Sequence, residues 1–299
     1  MQLPLPSSNV LFILLNLIFL LRRREGIFHV TGHVHYAALV LPKNRTVLTI
    51  HDLVFLHSYS GIRRKVMKWL FLDLPVKRVK WITTVSEKSK NEIIQFTGCD
   101  PNKIQVIPNP VDIDYQEAKT NNLSDSPVLL FLGTKPNKNL ETVIAALYKL
   151  KAQLRIVGEL TKKQKKLLEK FSISYSSVAN ISDDALTKEY RNCDVVLFPS
   201  TYEGFGLPVI EGFCAGRPVI TSNLSPMKDI ACGAAVLVDP TSIASIRNGV
   251  DLITKEDLRS ACVKKGLEVS QKYTAKKIAQ QYMDFWNKMV SVKNNVNAN

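Results

Sequence analysis

The stretch Leu197-Phe198-Pro199-Ser200-Thr201-Tyr202-Glu203-Gly204-Phe205-Gly206-Leu207-Pro208-Val209-Ile210-Glu211-Gly212 runs from apolar residues through a glycine-bearing loop into a segment that opens with proline. The run ending at Phe198 predicts a buried strand. Pro208 suits the first turn of a helix, Gly216 its end, and Arg217-Pro218-Val219-Ile220-Thr221 the next strand. The unit is therefore read as βαβ. Gly204 and Gly206 let the backbone come close to a ligand, and the first amides of the following helix have no partner within it. Such a helix mouth suits a phosphate. Two carboxylates flank it, Glu203 in the loop and Glu211 about one turn into the helix, and each can accept from hydroxyl groups of a ligand.

On these residues the segment resembles the donor-binding signature of retaining glycosyltransferases with the two-domain GT-B fold, most closely family 4, which use nucleotide diphosphate sugars. The resemblance implies that Glu203 lies beside the donor sugar, that Glu211 holds the nucleotide ribose, and that Gly204, Phe205, Gly206 and Leu207 line the donor site. The fold it implies is α/β, with two doubly wound Rossmann-like domains and an incomplete N-terminal one. The activity it implies is transfer of a hexose to a glycan or lipid-linked acceptor in cell-surface polysaccharide synthesis of the O-antigen or capsule type.

A second loop fits the same reading. Phe131-Leu132-Gly133-Thr134-Lys135-Pro136-Asn137-Lys138-Asn139-Leu140-Glu141 places a glycine at a strand end, then lysines on the way into a helix. Cleaving the bond from sugar to diphosphate leaves negative charge on the leaving group, and a preorganised ammonium group stabilises it as it develops. Lys138 is assigned that role, with Gly133, Thr134 and Lys135 as further donor contacts. Relatives usually read Arg-Lys-Asn here; the arginine position is Asn137, and Lys135 is the cation placed to compensate.

In the first half, His51 ends the apolar run Thr46-Val47-Leu48-Thr49-Ile50. The family keeps a His-Asp there that meets the donor sugar, so His51 joins Glu203 and Lys138 as a catalytic candidate, and Asp52 is expected to orient it. His33 and His35 would share a strand face, but no nearby carboxylate or cysteine completes a metal set. No metal or separate cofactor is expected; the nucleotide sugar is the co-substrate.

Short apolar runs at Gly26–Thr31, Thr46–Ile50, Trp81–Val85 and Ile104–Ile107 predict four parallel strands in the first half. Val128–Leu132, Leu154–Val157, Val178–Ile181, Val195–Phe198, Val219–Thr221 and Ala235–Val238 predict six more in the second. The organisation read from this is an acceptor-side domain over 1–115, a polar linker over 116–127, a donor-binding domain over 128–274, a helix over 275–292 returning to the first domain, and a disordered tail over 293–299. Relatives open with a strand and a Gly-Gly loop, whereas the earliest glycine here is Gly26 and no glycine pair occurs in that half.

A net charge of +14 points to an anionic partner, with nucleotide diphosphates and acidic lipid the expected ones and nucleic acid not. Five scattered cysteines fit a reducing, cytoplasmic location. The apolar Val10–Leu21 is too short to span a bilayer and lacks the charge order of a cleaved leader, so it predicts a buried or interfacial helix. Gly61–Leu72, with Arg63, Arg64, Lys65 and Lys68 among apolar residues and Trp69, suits either peripheral attachment to an anionic membrane face or a packed helix with solvated lysines. The competing readings are an inactive or partial transferase scaffold that binds membrane or nucleic acid, and a nucleotide-sugar epimerase.

Overall fold

The computed structural model describes residues 3–6, 9–23, 25–57, 59–111 and 123–296, and these form two units, Met1–Pro108 with Ile278–Asn299, and Asn109–Lys277. Of the linker expected over 116–127, residues 116–122 lie outside the described ones.

The first unit runs α1 (Val10–Leu21), β1 (Phe28–Val30), β2 (Thr46–Ile50), α2 (Val54–His57), α3 (Gly61–Lys68), a π-helical stretch (Trp69–Asp73), α4 (Leu74–Arg78), β3 (Trp81–Thr84), α5 (Glu87–Thr97) and β4 (Ile104–Val106). Its sheet has the order β1-β2-β3-β4, all parallel. Side chains of a strand alternate between faces, and β2 shows what covers each. Leu48 and Ile50 join Leu20, Leu72, Val76, Ile82 and Ile93 in one core. Val47 points the other way, into a second cluster with Ile278, Phe285 and Met289 from the end of the chain. With both faces covered, every residue of β2 is buried, and so the strand reads as a continuous apolar and threonine run. Capping fixes α5: the Ser86 side chain accepts from the Ser89 amide, and Gly98 closes the helix at φ 65°.

The second unit runs β5 (Val128–Leu132), α6 (Leu140–Ala146), β6 (Gln153–Val157), α7 (Lys162–Lys170), β7 (Tyr175–Val178), α8 (Asp183–Asn192), β8 (Val195–Phe198), α9 (Leu207–Cys214), β9 (Val219–Ser222), α10 (Met227–Ala231), β10 (Val236–Val238), α11 (Ile243–Ile253) and α12 (Glu256–Ser270). The parallel sheet has the order β10-β9-β8-β5-β6-β7. The chain therefore walks outward from β5 to β7, crosses back to β8, and walks the other way. The reversal lies between β5 and β8, where open α/β sheets part their loops and bind ligands.

Two expectations change. The strand expected at Val178–Ile181 is β7, which pairs Tyr175 with Leu154 and ends at Val178. As the edge strand it exposes Tyr175, Ser176 and Ser177, so burial selects no apolar run there, and Asn180 at φ 54° turns the chain away. The last helix, α13 (Ala275–Val296), continues past residue 292 into the segment expected to be disordered, and residues 297–299 of that segment lie outside the described ones.

Candidate functional site

Because β5 and β8 are hydrogen-bonded neighbours, the loops that follow them lie side by side at the carboxyl edge of the second sheet. Gly133 leaves β5 at φ 82°, a conformation that favours glycine, and a Cβ there would lie 3.0 Å from Cγ of Lys138. The Lys138 stem thus rests on the bare Gly133 backbone. A short 3-10 turn, Pro136–Lys138, then leads to Asn139, the residue before α6, at φ 69°.

The loops are stitched together by backbone and amide groups. The Thr201 amide donates to the Asn137 carbonyl at 2.8 Å, and Asn137 Nδ2 donates to the Tyr202 carbonyl at 3.0 Å. Asn139 Nδ2 donates to the carbonyls of Pro199 (3.2 Å) and Pro240 (2.6 Å). This scaffold aims the charges. Lys138 Nζ lies 2.6 Å from Oε1 of Glu203, both side chains are largely buried, and the ammonium sits 4.8 Å from the centre of the Phe198 ring. Asn137 Nδ2 reaches the same Glu203 oxygen at 3.2 Å. The residue standing where relatives carry arginine therefore positions Glu203 and its loop. Lys135 is exposed.

On α9, Gly206 precedes the first turn at φ 102°, and a Cβ there would meet Ile230 Cδ1 at 3.1 Å. The space above this glycine is filled by α10, so packing as well as backbone freedom explains it. Phe205 is buried with its ring against Tyr273, and Leu207 opens the helix. Glu211 follows one turn later. Burial pushes its carboxyl above the ordinary range; the Tyr190 hydroxyl that donates to Oε2 lowers it, the Asp183 charge raises it and the Lys138 charge lowers it. Lys138 thus couples to both acids. Gly212 cannot carry a side chain, since its Cβ would come within 2.8 Å of Val219 Cγ2, and this close approach sets the depth at which Glu211 sits.

Thr134 hydrogen-bonds the Glu159 carbonyl at 2.6 Å, tying the first loop to a third one after β6. That loop begins at Gly158 (φ 147°), whose Cβ would strike Thr134 Cγ2 at 3.0 Å. Three parts of the site escape the sequence reading: Asn137 as a clamp on Glu203, the Gly158–Glu159 loop and Tyr190. Gly158 directly after the apolar Leu154–Val157 run was a usable signal; nothing near Tyr190 in sequence points to Glu211.

Lys138, Glu203 and Glu211 belong to the second unit, and His51 belongs to the first. It follows β2, half-buried, with Nε2 donating to the Thr31 carbonyl at 2.9 Å. The Asp52 carboxylate accepts from the Val54 amide at 2.9 Å, at the start of α2. His35 is a core histidine, its Nδ1 donating to the Phe71 carbonyl at 2.8 Å, and burial lowers it to about 4. Among the described residues, no three histidine, cysteine or acidic side chains are grouped to hold a metal ion.

Residues 3–115 match the family profile Glycosyltransferase Family 4. The O-antigen chain mannosyltransferase RfbU of Salmonella typhimurium is 26% identical over 70% of this chain and 61% of its own length. The serotype-specific mannosyltransferase WbdA of Escherichia coli is 24% identical over 72% of this chain, which spans 30% of WbdA. Among solved structures, sucrose-phosphate synthase from Thermosynechococcus elongatus superposes with a TM-score of 0.76 at 18% identity, covering 96% of this chain and 81% of its own. Anabaena HepE, solved with UDP and glucose, gives 0.76 at 16% identity, covering 95% and 84%. These likenesses establish the GT-B fold. The profile described as Glycosyl transferases group 1 matches residues 112–269, more than half of the chain and all of the loops that hold Lys138, Glu203 and Glu211, so the chain belongs to that family.

Proposed function

We propose that the chain transfers a hexose from a nucleotide diphosphate donor, with retention at the anomeric carbon, to a glycan or lipid-linked acceptor in cell-surface polysaccharide synthesis. The observation that carries this reading is the Lys138–Glu203 ion pair at the reversal point of the sheet, with Glu211 in the same field. On binding, the diphosphate takes the Lys138 ammonium, and Glu203 turns from that cation to the donor sugar. As the glycosidic bond breaks, Lys138 and the first amides of α9 meet the charge growing on the leaving oxygen. Glu203 stabilises positive charge on the sugar, and Glu211 accepts from the ribose hydroxyls. His51 is kept as a donor-sugar contact on the family resemblance. The O-antigen mannosyltransferases among the relatives favour a mannose-like donor, and five unbridged cysteines fit the cytoplasm.

Calorimetric titration with nucleoside diphosphates tests the donor site. Saturable binding, weakened at least tenfold (about 1.4 kcal/mol) in Glu211→Ala, is expected. Binding no tighter than that of inorganic phosphate, or salt-sensitive RNA binding without nucleotide preference, would remove the reading. Labelled nucleotide sugars offered with membrane extracts then identify donor and acceptor.

A further inference from the structure

Helix α1 is roughly half sunk in the first unit. Asn16, fully buried, accepts from the Leu5 amide (3.2 Å) and donates to the Leu5 carbonyl (2.9 Å) and the Tyr36 hydroxyl (3.2 Å), while Leu20 enters the core. A buried amide satisfied this way fixes how the helix is rolled. That roll turns Leu11, Leu14, Leu15, Ile18 and Leu21 outward, 62, 51, 42, 54 and 43% exposed, at the spacing of one helical stripe.

The same layer carries a second stripe. Ile62, Val66 and Trp69, spaced four and three residues apart on α3 and its continuation, are 81, 51 and 56% exposed. Arg63, Arg64, Lys65 and Lys68 stand between them, with Lys68 paired to Asp73 at 2.6 Å. Tyr36 links the two elements: its hydroxyl takes the Asn16 bond, and its ring meets Phe71, in the π-helical stretch after α3, edge-on at 6.2 Å. Leu20 of α1 and Leu72, in the π-helical stretch that continues α3, both enter the core on one face of the sheet, whereas side chains of α13 cover the opposite face. The two stripes thus lie on the same side of the sheet, with Tyr36 between the elements that carry them. Scattered apolar residues on a surface mean little, but eight of them in two ordered rows, bordered by cations, mark a contact face.

We propose that α1 and α3 form a docking face for an anionic bilayer, lying in its interface with the two apolar rows immersed and the cations at headgroup level. Charge selects this occupant. Neither helix contains an acidic residue, and Arg22 and Arg23 follow α1, so a second copy seated on the face would set like charges together. A nucleic acid would satisfy the cations and leave the leucines and isoleucines in water. Anionic lipid satisfies both, and Trp69 at the rim of the cationic helix is the residue type that membrane interfaces favour. No helix among the described residues is long and apolar enough to cross a membrane, so the contact is peripheral. This deepens the lipid-linked-acceptor reading, but it is measured without any donor, so the two fail separately.

The test is sedimentation of the full chain with vesicles of phosphatidylcholine alone or with phosphatidylglycerol added. Binding should require the anionic lipid, weaken as salt rises, and shift Trp69 emission to shorter wavelength, a shift absent in Trp69→Phe. Leu14→Glu with Ile18→Glu, and separately Ile62→Glu with Val66→Glu, should each weaken vesicle affinity roughly tenfold or more. Arg63→Glu with Arg64→Glu should do so for anionic vesicles. All these sites are exposed, so thermal unfolding should stay unchanged; should an α1 variant misfold, the α3 variants carry the test alone. Binding to neither vesicle, equal binding to both, or self-association abolished by Ile18→Glu would overturn the proposal, the last outcome assigning the face to a second copy.

Discussion

The Lys138 ammonium lies 2.6 Å from Oε1 of Glu203 while the stem of the same lysine covers the backbone of Gly133. One side chain thus joins the loop after β5 to the loop after β8. Lys138→Ala removes the cation and leaves a largely buried carboxylate beside a void. Expected is a loss in kcat of roughly 10²–10³-fold, the cost of deleting one preorganised donor to a developing anion. Glu203→Gln keeps the hydrogen bond to Lys138 but not the charge, so it should retain nucleotide affinity within a few-fold while lowering kcat. Steady-state kinetics beside calorimetry separate the two, and parallel losses of binding in both variants would reduce Glu203 to a structural partner.

Gly133→Ala tests the same contact from below. Its φ of 82° costs a substituted residue on the order of 1–2 kcal/mol, and the new methyl would sit 3.0 Å from Lys138 Cγ. The variant should fold with that modest loss in urea denaturation, yet lose more activity than the loss explains, because the lysine is displaced. Activity that falls only in step with stability would show that Gly133 serves the turn alone.

The sheets were legible where strands are central. Val128–Leu132 and Val195–Phe198 are covered on both faces, so burial writes itself into the residues as an unbroken apolar run. At the edge, Tyr175–Val178 faces water and carries no such mark, and the apolar residues just after it drew the assignment three places downstream. The same distinction holds at the site. Glu203, Lys138 and Glu211 stand in local signatures that chemistry dictates over a few residues. Tyr190 reaches Glu211 only because the fold brings α8 to α9 across 21 residues, and Asn137 gains its role only because β5 neighbours β8. Pairings made by the fold leave nothing in a local window to read.

One half-buried and one buried histidine give the first unit an acid limit. His29, with Nε2 on Thr49 Oγ1 at 2.7 Å beneath Tyr282 and Trp286, and His35 on the Phe71 carbonyl are each lowered from 6.5 to about 4, chiefly by burial. The unfolded chain therefore binds more protons between pH 6.5 and about 4, and stability falls with pH across that window. For the deeply buried His35 the loss reaches about 3 kcal/mol. Denaturation curves across the window should lose part of their slope in His35→Gln; an unchanged slope would place the acid sensitivity elsewhere.

Glu211 has the opposite dependence and links stability to donor binding. Burial raises its carboxyl above the ordinary 4.5, so the folded chain holds that proton to a higher pH than the unfolded chain does. In the window from 4.5 up to the raised value the folded state binds more protons, stability falls as pH rises, and above it the loss is complete. Glu211→Gln should therefore raise the melting temperature at neutral pH while weakening nucleotide binding, the pattern of a site held at some cost to the fold. Tyr190→Phe separates the parts. The Tyr190 hydroxyl donates to Oε2 and favours the charged carboxylate, so its removal pushes Glu211 higher still. If the ionised acid grips the ribose, affinity for a nucleoside diphosphate should rise with pH, and the midpoint of that rise should move upward in Tyr190→Phe while affinity at high pH recovers to within a few-fold. A 2′,3′-dideoxy nucleotide, which offers no ribose hydroxyls, should show no such midpoint in either protein. A midpoint that stays in place in Tyr190→Phe, or that persists with the dideoxy nucleotide, would take the ribose away from Glu211.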